Sequence, residues 1–201
     1  MKLRVAHIIT GLAIGGAERH LVSLLNAMSC EYRAAIVIGG VPSGPSFHQE
    51  LDPGVDQYLS RIRRRALPIG LWRLVTLLKR IRVDVVHTHL YEASLYGAIA
   101  ARMAGIPVVV TTEHGENRWK RPIHHWLERK VVSPLVDVRF CVSPQILGLR
   151  RDLDGVPANK LRLTVNGTLL PKSVPAIRNN ELPVIGAVGR FIPEKDYPRL
   201  L

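Results

Sequence analysis

Through residue 165 the chain alternates short apolar runs with amphipathic segments, and this alternation leaves few folds open. The apolar runs fall at 3–10, 34–38, 55–59, 84–88, 107–111, 138–142 and 161–165. Between them, helical periodicity is read at 17–28, 68–82, 93–103, 122–132 and 143–153, with a shorter helix at 46–51. Leu71, Leu74, Val75, Leu78 and Ile81 form one apolar stripe, with Arg73 and Arg80 opposite. Residues 93–103 are mostly small, which lets a helix lie close on a sheet. Ser143-Pro144 reads as an N-cap followed by proline at the first helical position. Strands that alternate with helices predict an α/β fold, a Rossmann-like doubly wound parallel sheet.

In such sheets ligands bind beyond the carboxyl ends of the strands. The residues predicted there are Gly15-Gly16, the stretch from His89 to Glu92, Glu113-His114, Ser143 and Asn166. Gly15 and Gly16 lie between the first strand and first helix, where bare backbone and a helix N-terminus suit an anion. Two phosphate-binding motifs fail on these residues. Gly11 and Gly16 have P-loop spacing, but Ala17-Glu18 follow in place of Lys and Ser/Thr. A dinucleotide fingerprint needs G-x-G-x-x-G and an acid after the second strand, where this chain has Gly39-Gly40. A tight βα turn that binds nothing is the competing reading.

A length of 201 residues is long for one small domain and short for two. The segment 170–182 turns polar and proline-rich, and a new apolar run begins at Pro183. The expected organisation is one domain over 1–169, a linker over 170–182, and the first βα unit of a second domain over 183–201. The start runs directly into a strand without a signal-peptide core, and no apolar run approaches a membrane span. Cys30 and Cys141 fall in unrelated elements, which predicts free thiols and a cytoplasmic setting.

Charge is uneven. Residues 1–60 carry four Lys/Arg against five Asp/Glu, so the net charge of +12 arises after them. Arg61, Arg63, Arg64, Arg65, Arg73, Lys79, Arg80 and Arg82 precede the next acid, Asp84. With Arg118, Lys120, Arg121, Trp126, Arg129 and Lys130 they form a possible surface for anionic lipid. An ordinary solvated face is the alternative. His87 and His89 are two apart on a strand and point one way, but no third Cys or His stands at a telling spacing. No metal site is predicted. His124 and Glu128, four apart, are expected to pair.

Four segments together resemble the family 4 group of retaining GT-B glycosyltransferases. They are Gly15-Gly16-Ala17-Glu18-Arg19, the run Asp84 to His89 with the helix after it, Val109 to Gly115, and Gly189-Arg190 with Pro193 to Pro198. The resemblance implies a GT-B N-terminal, acceptor-side domain and the opening of a donor-side domain. It implies that Gly15, Gly16, Arg190 and Lys195 face a donor diphosphate, and that His114 lies near the reacting sugar. His89, Tyr91, Glu92 and Glu113 become candidate acceptor contacts. The donor is then a nucleotide-sugar with no cofactor or metal, and the acceptor a glycan or lipid-linked saccharide. The family's Glu-x₇-Glu motif has no counterpart before Leu201, so very weak donor binding and no useful transfer by the chain alone are expected.

Two other classes stay open. One is a non-catalytic α/β binding module. The other is a nucleic-acid binder, suggested by a pI near 10.4 but without a binding motif or interleaved aromatics. No nucleic-acid partner is expected. The setting expected is cytoplasmic, with peripheral contact at the inner face of the membrane.

Overall fold

The computed structural model describes residues 3–40, 43–167, 186–189, 191 and 196–199, without the Arg64 side chain. The chain divides into two compact units, residues 1–169 and 170–201. Arg190, Lys195 and the expected linker at 170–182 lie outside the described residues. In the second unit the described residues include one turn of 3₁₀ helix, Tyr197–Arg199.

The first unit is built on a seven-stranded sheet in the order β3-β2-β1-β4-β5-β6-β7, with every pairing parallel. The strands are β1 (Arg4–Ile9), β2 (Tyr32–Val37), β3 (Val55–Leu59), β4 (Val85–His89), β5 (Val108–Glu113), β6 (Val138–Cys141) and β7 (Leu161–Leu163). The long helices are α1 (Gly16–Ala27), α2 (Leu67–Ile81) and α3 (Tyr91–Met103). Next comes one broken helical stretch, α4 (Pro122–Leu127), a π-helical turn (Glu128–Val132) and α5 (Ser133–Leu135). Helix α6 is Pro144–Asp152. The sheet and its crossovers follow the predicted α/β architecture. Two predicted helices differ in kind: the one over 122–132 is interrupted by a π turn, and the short one over 46–51 is a 3₁₀ helix, Phe47–Glu50.

Strand alternation divides the core into two layers. Ile9, Ala35 and Val37 pack with Leu21, Val22 and Leu25 of α1. Ala34, Ile36, Val86 and Val109 face the other way, with Leu74 and Leu78 of α2 and Ala93, Ala98 and Ala101 of α3. The small residues of α3 bring it close to the sheet: a Cβ on Gly97 would lie 2.7 Å from Cγ2 of Thr88. Gly39 is required by an equally close approach, since a Cβ there would collide with the Thr10 carbonyl. Ser143 caps α6 as expected, accepting from the Ile146 N–H at 3.2 Å.

The chain reverses direction across the sheet between β1 and β4. At that switch point two neighbouring loops leave in opposite directions and open a crevice at the carboxyl ends. Gly15-Gly16 follow β1, and Leu90 with α3 follow β4.

Candidate functional site

Gly15 is the N-cap of α1, in extended backbone, and its carbonyl accepts from the Arg19 N–H at 2.9 Å. No side chain caps this helix N-terminus. Its first-turn N–H groups and positive dipole end are therefore directed at the loop. A Cβ on Gly16 would meet open space, whereas one on Gly15 would collide with the Glu18 carboxylate, which folds back over the loop.

Beside this loop the structure assembles histidines from four elements. His7 of β1 pairs in register with His87 of β4, and Ile9 with His89. Because their positions share strand parity, His7, His87 and His89 project to the same side of the sheet as Ile9, the α1 side. His7 Nδ1 and His89 Nε2 are hydrogen-bonded at 3.0 Å, and His89 Nδ1 and His114 Nε2 at 3.0 Å. His87 Nε2 bonds to Thr112 Oγ1 at 2.7 Å. The His20 ring, on α1, lies 5.4 Å from that of His114. Burial pushes His7 down to about 3 and His114 to about 4, each further lowered by His20. Burial first, then neighbouring histidines, holds His87 and His89 well below the usual imidazole range. These four are neutral at pH 7.

The Leu90 N-cap between His89 and α3 has φ 70° and ψ 158°, a conformation L residues rarely adopt. The turn that buries His89 and starts α3 thus holds backbone strain at the crevice.

On the opposite side of the sheet, Glu113 ends β5 in a buried ionic network. Its Oε1 accepts from Arg139 Nη1 at 2.8 Å, and its Oε2 from Asn117 Nδ2 at 3.3 Å. Arg139 also lies 2.8 Å from Glu128, which pairs with Lys120 at 2.9 Å. Arg150 binds Asp154 at 2.7 Å and donates to the Glu116 carbonyl at 2.6 Å. Burial alone would raise the Glu128 carboxyl, but Arg139 and Lys120 outweigh it and hold the group below its ordinary value. Three cations and three carboxylates thus anchor the segment after β5, in which His114 sits, to the π turn, β6 and α6.

This placement corrects several expectations. Glu113 is buried in ion pairs and does not present itself to an acceptor. His89 is fully buried, with both ring nitrogens engaged by histidines, so it meets a ligand only through His114. Tyr91 is buried, its ring edge-on to Trp119 and His124 with Lys120 Nζ 5.0 Å above it. Its hydroxyl has no partner among the described residues, and burial raises the phenol to about 12. Glu92 is exposed in the first turn of α3. The His124–Glu128 pair does not form. His124 Nδ1 accepts from the Arg121 N–H at 2.9 Å, while Glu128 turns inward to Lys120 and Arg139. Asn166 is exposed beyond β7. Cys30 and Cys141 are free thiols.

Sequence reasoning missed His7, His20, Arg139, Arg150 and Asp154 as partners of the site, and it placed Lys120 on a lipid-facing surface, whereas that side chain is fully buried against Glu128 and Asp154. His7 is the third histidine that spacing could not supply. The ligand nitrogens of His7, His87 and His89 lie within 4.8 Å of one another, a grouping that could hold a metal ion. His89 would have to give up one of two hydrogen bonds to join it.

Away from the crevice, Arg61, Arg73 and Arg80 line a cleft of about 440 Å³ with Tyr58 and Thr76. Ile69 and Trp72 on α2, and Trp119, Ile123 and Trp126 around α4, are each more than half exposed. Among the described residues no helix is long and apolar enough to cross a membrane.

Comparison with known proteins adds independent findings. A family model described as Glycosyltransferase Family 4 matches residues 14–168. An Escherichia coli UDP-Gal:alpha-D-GlcNAc-diphosphoundecaprenol alpha-1,3-galactosyltransferase is 30% identical over 169 residues, covering 72% of this chain and 41% of the relative. The chain therefore spans about two-fifths of that relative's length. Among solved structures, Anabaena HepE in complex with UDP-glucose aligns over 83% of this chain and 44% of its own, with TM-score 0.66 and 16% identity. MurG of Acinetobacter baumannii aligns over 85% and 47%, with TM-score 0.54 and 17% identity. At these identities the two structures speak to the fold alone.

Proposed function

The chain belongs to glycosyltransferase family 4, and from that premise we propose that it is the acceptor-side part of a retaining glycosyltransferase. The complete enzyme moves a sugar from a nucleotide-sugar to a lipid-linked or glycan acceptor. One observation carries this reading: α1 has no side-chain cap at its Gly15-Gly16 start, and His20, about one turn further along the helix, places its ring 5.4 Å from that of His114. Backbone N–H groups at a helix start suit a diphosphate, and His114 suits a sugar hydroxyl. The galactosyltransferase relative, whose name specifies a UDP-sugar and a diphosphoundecaprenol acceptor, supports both substrate classes.

Residues 1–169 act as the acceptor-side domain and 183–201 as the start of the donor-side domain, where Arg190 and Lys195 would neutralise the leaving diphosphate. Fixed cations there lower the barrier because negative charge develops on that group in the transition state. Of the acceptor contacts, exposed Glu92 keeps its candidacy. The chain by itself offers a half-site and binds a nucleotide-sugar very weakly. We read the histidines as a hydrogen-bonded set without a resident metal, because His89 has both ring nitrogens engaged by His7 and His114 and His87 Nε2 is held by Thr112.

The basic cleft and the exposed Ile69, Trp72, Ile123 and Trp126 support seating on an anionic membrane surface at the cytoplasmic face, where a lipid-linked acceptor would be met. A nucleic-acid partner is not part of the reading.

The test is direct. The gene is read beyond the Leu201 codon, and the extended protein is assayed with UDP-galactose or UDP-glucose and a diphosphoundecaprenol-linked acceptor. Sugar transfer is expected, with an open frame that contains Glu-x₇-Glu. A stop codon at that point would favour a binding module instead. Micromolar binding of either UDP-sugar to the 201-residue chain, measured by calorimetry, would overturn the half-site.

A further inference from the structure

The three histidines linked at 3.0 Å run from the middle of β1 to the end of β5, and the proton inventory gives the run a direction. A neutral imidazole has one N–H and one bare nitrogen. Two hydrogen bonds through three neutral rings therefore allow two patterns. In one, every N–H points from His7 toward His114, and Nδ1 of His114 ends the run as a donor. In the other, every N–H points inward, and Nε2 of His7 ends it as a donor with nothing to donate to.

Both terminal atoms, His7 Nε2 and His114 Nδ1, lack a partner among the described residues. Neither terminal atom is exposed, but the two rings differ in depth. His7 is fully buried, so a stranded N–H there has no remedy. The His114 ring is only partly buried on the segment that leaves β5, so a small opening lets water or a ligand accept from its Nδ1. An orphaned buried N–H is costlier than a bare nitrogen in the same place. The groups that face the run are His20 from α1, His87 from β4 and Thr112 from β5. His87 is occupied by Thr112 and does not interrupt it.

We infer that His7 and His89 are positioning residues that fix His114 in one tautomer, with Nδ1–H as the free hydrogen-bond donor at the less buried end of the run. His114 then binds an acceptor oxygen, a hydroxyl or phosphate oxygen of the ligand, and has no lone pair at that atom with which to serve as a base. The proposed function supplies the identity of that ligand. The tautomer rests on the hydrogen bonds alone.

Nitrogen-15 NMR of histidine-labelled protein at pH 7.5 reads the tautomer without ligand or turnover. The expected spectrum shows His114 protonated at Nδ1 and bare at Nε2. His89→Phe removes the donor to Nε2, and the tautomer ratio of His114 should shift at least tenfold. His89→Asn, whose amide N–H stands near the former Nδ1–H, should restore it. His7→Leu should move the same His114 signals from two rings away, and His7→Asn should not. A merely structural role would not give that pattern. If His89→Phe does not fold, the His7 pair gives the answer. Protonated Nε2 in the unsubstituted chain would overturn the inference. So would His114 signals indifferent to His7→Leu, or a stoichiometric metal found by elemental analysis, since a coordinated nitrogen cannot carry the proton. None of these results depends on whether a UDP-sugar binds, so the two readings fail separately.

Discussion

Arg139 and Glu128 form an ion pair at 2.8 Å with both side chains at most 1% exposed, and they come from β6 and the π turn. Glu128 lies between Lys120 and Arg139 instead of pairing with His124, although its N–H keeps the α-helical bond to the His124 carbonyl.

Replacement of Glu128 by Gln should be strongly destabilising. It leaves Arg139 with Glu113 and Lys120 with the longer Asp154 contact at 3.8 Å, and a buried pair broken on one side typically costs about 3–5 kcal/mol. Urea unfolding of the variant tests this. A loss below about 1 kcal/mol would mean that the network relaxes or is hydrated.

Acid should unfold the first unit well above the carboxylate range. His7 and His114 have folded values of about 3 and 4, below their unfolded value near 6.5. Below 6.5 the unfolded chain binds protons that the folded one refuses, so stability falls as pH drops from 6.5 toward 3. Each such histidine contributes about 1.4 kcal/mol per pH unit in that window. Buried His87 and His89 act in the same direction. Melting temperatures should fall steeply between pH 7 and 5, and a flat profile there would contradict neutral buried histidines.

Two glycine substitutions should separate structural from binding roles. Gly39→Ala drives a Cβ into the Thr10 carbonyl, backbone against backbone, and should cost roughly 1–3 kcal/mol in thermal unfolding. Gly15→Ala meets only the flexible end of Glu18, so melting should barely change. Diphosphate binding by the full-length enzyme should instead weaken, seen as a raised KM for the nucleotide-sugar. Equal destabilisation by both would remove the case for Gly15 as a ligand contact.

Anionic vesicles should hold the chain through the cleft of Arg61, Arg73 and Arg80. At about 1 kcal/mol per basic residue, the triple change to Gln should weaken vesicle binding on the order of 100-fold at low salt. Sedimentation with phosphatidylglycerol vesicles reads this directly. Equal binding by both proteins would place membrane contact elsewhere or nowhere.

Strand periods, helix stripes and the Ser143-Pro144 cap were legible because each is a local pattern that registers in neighbouring residues. His87 and His89 were legible as a pair for the same reason. His7 was not, since nothing local says that β1 lies beside β4. Glu113 looked available because it ends a strand. Its partners, Arg139, Asn117 and Arg150, come from β6, the following loop and α6. The His124–Glu128 pairing was inferred from an α-helical step that the chain does take, but Lys120 and Arg139 hold the carboxylate and the Arg121 N–H holds the imidazole, and neither set of partners is visible in the spacing.

The amino-acid sequence by itself determined the α/β class, the glycine loop at the start of α1, and the segments that place the chain in its family. These follow from backbone preferences and from side-chain periodicity, both of which act over a few residues. Strand order, and with it the meeting of His7, His89 and His114, was decided only by the tertiary structure. So was the burial of Glu113, Tyr91 and Glu128. The physical reason is that hydrogen bonds and ion pairs depend on distance in space, and residues 82 positions apart, such as His7 and His89, become neighbours only when the sheet has formed.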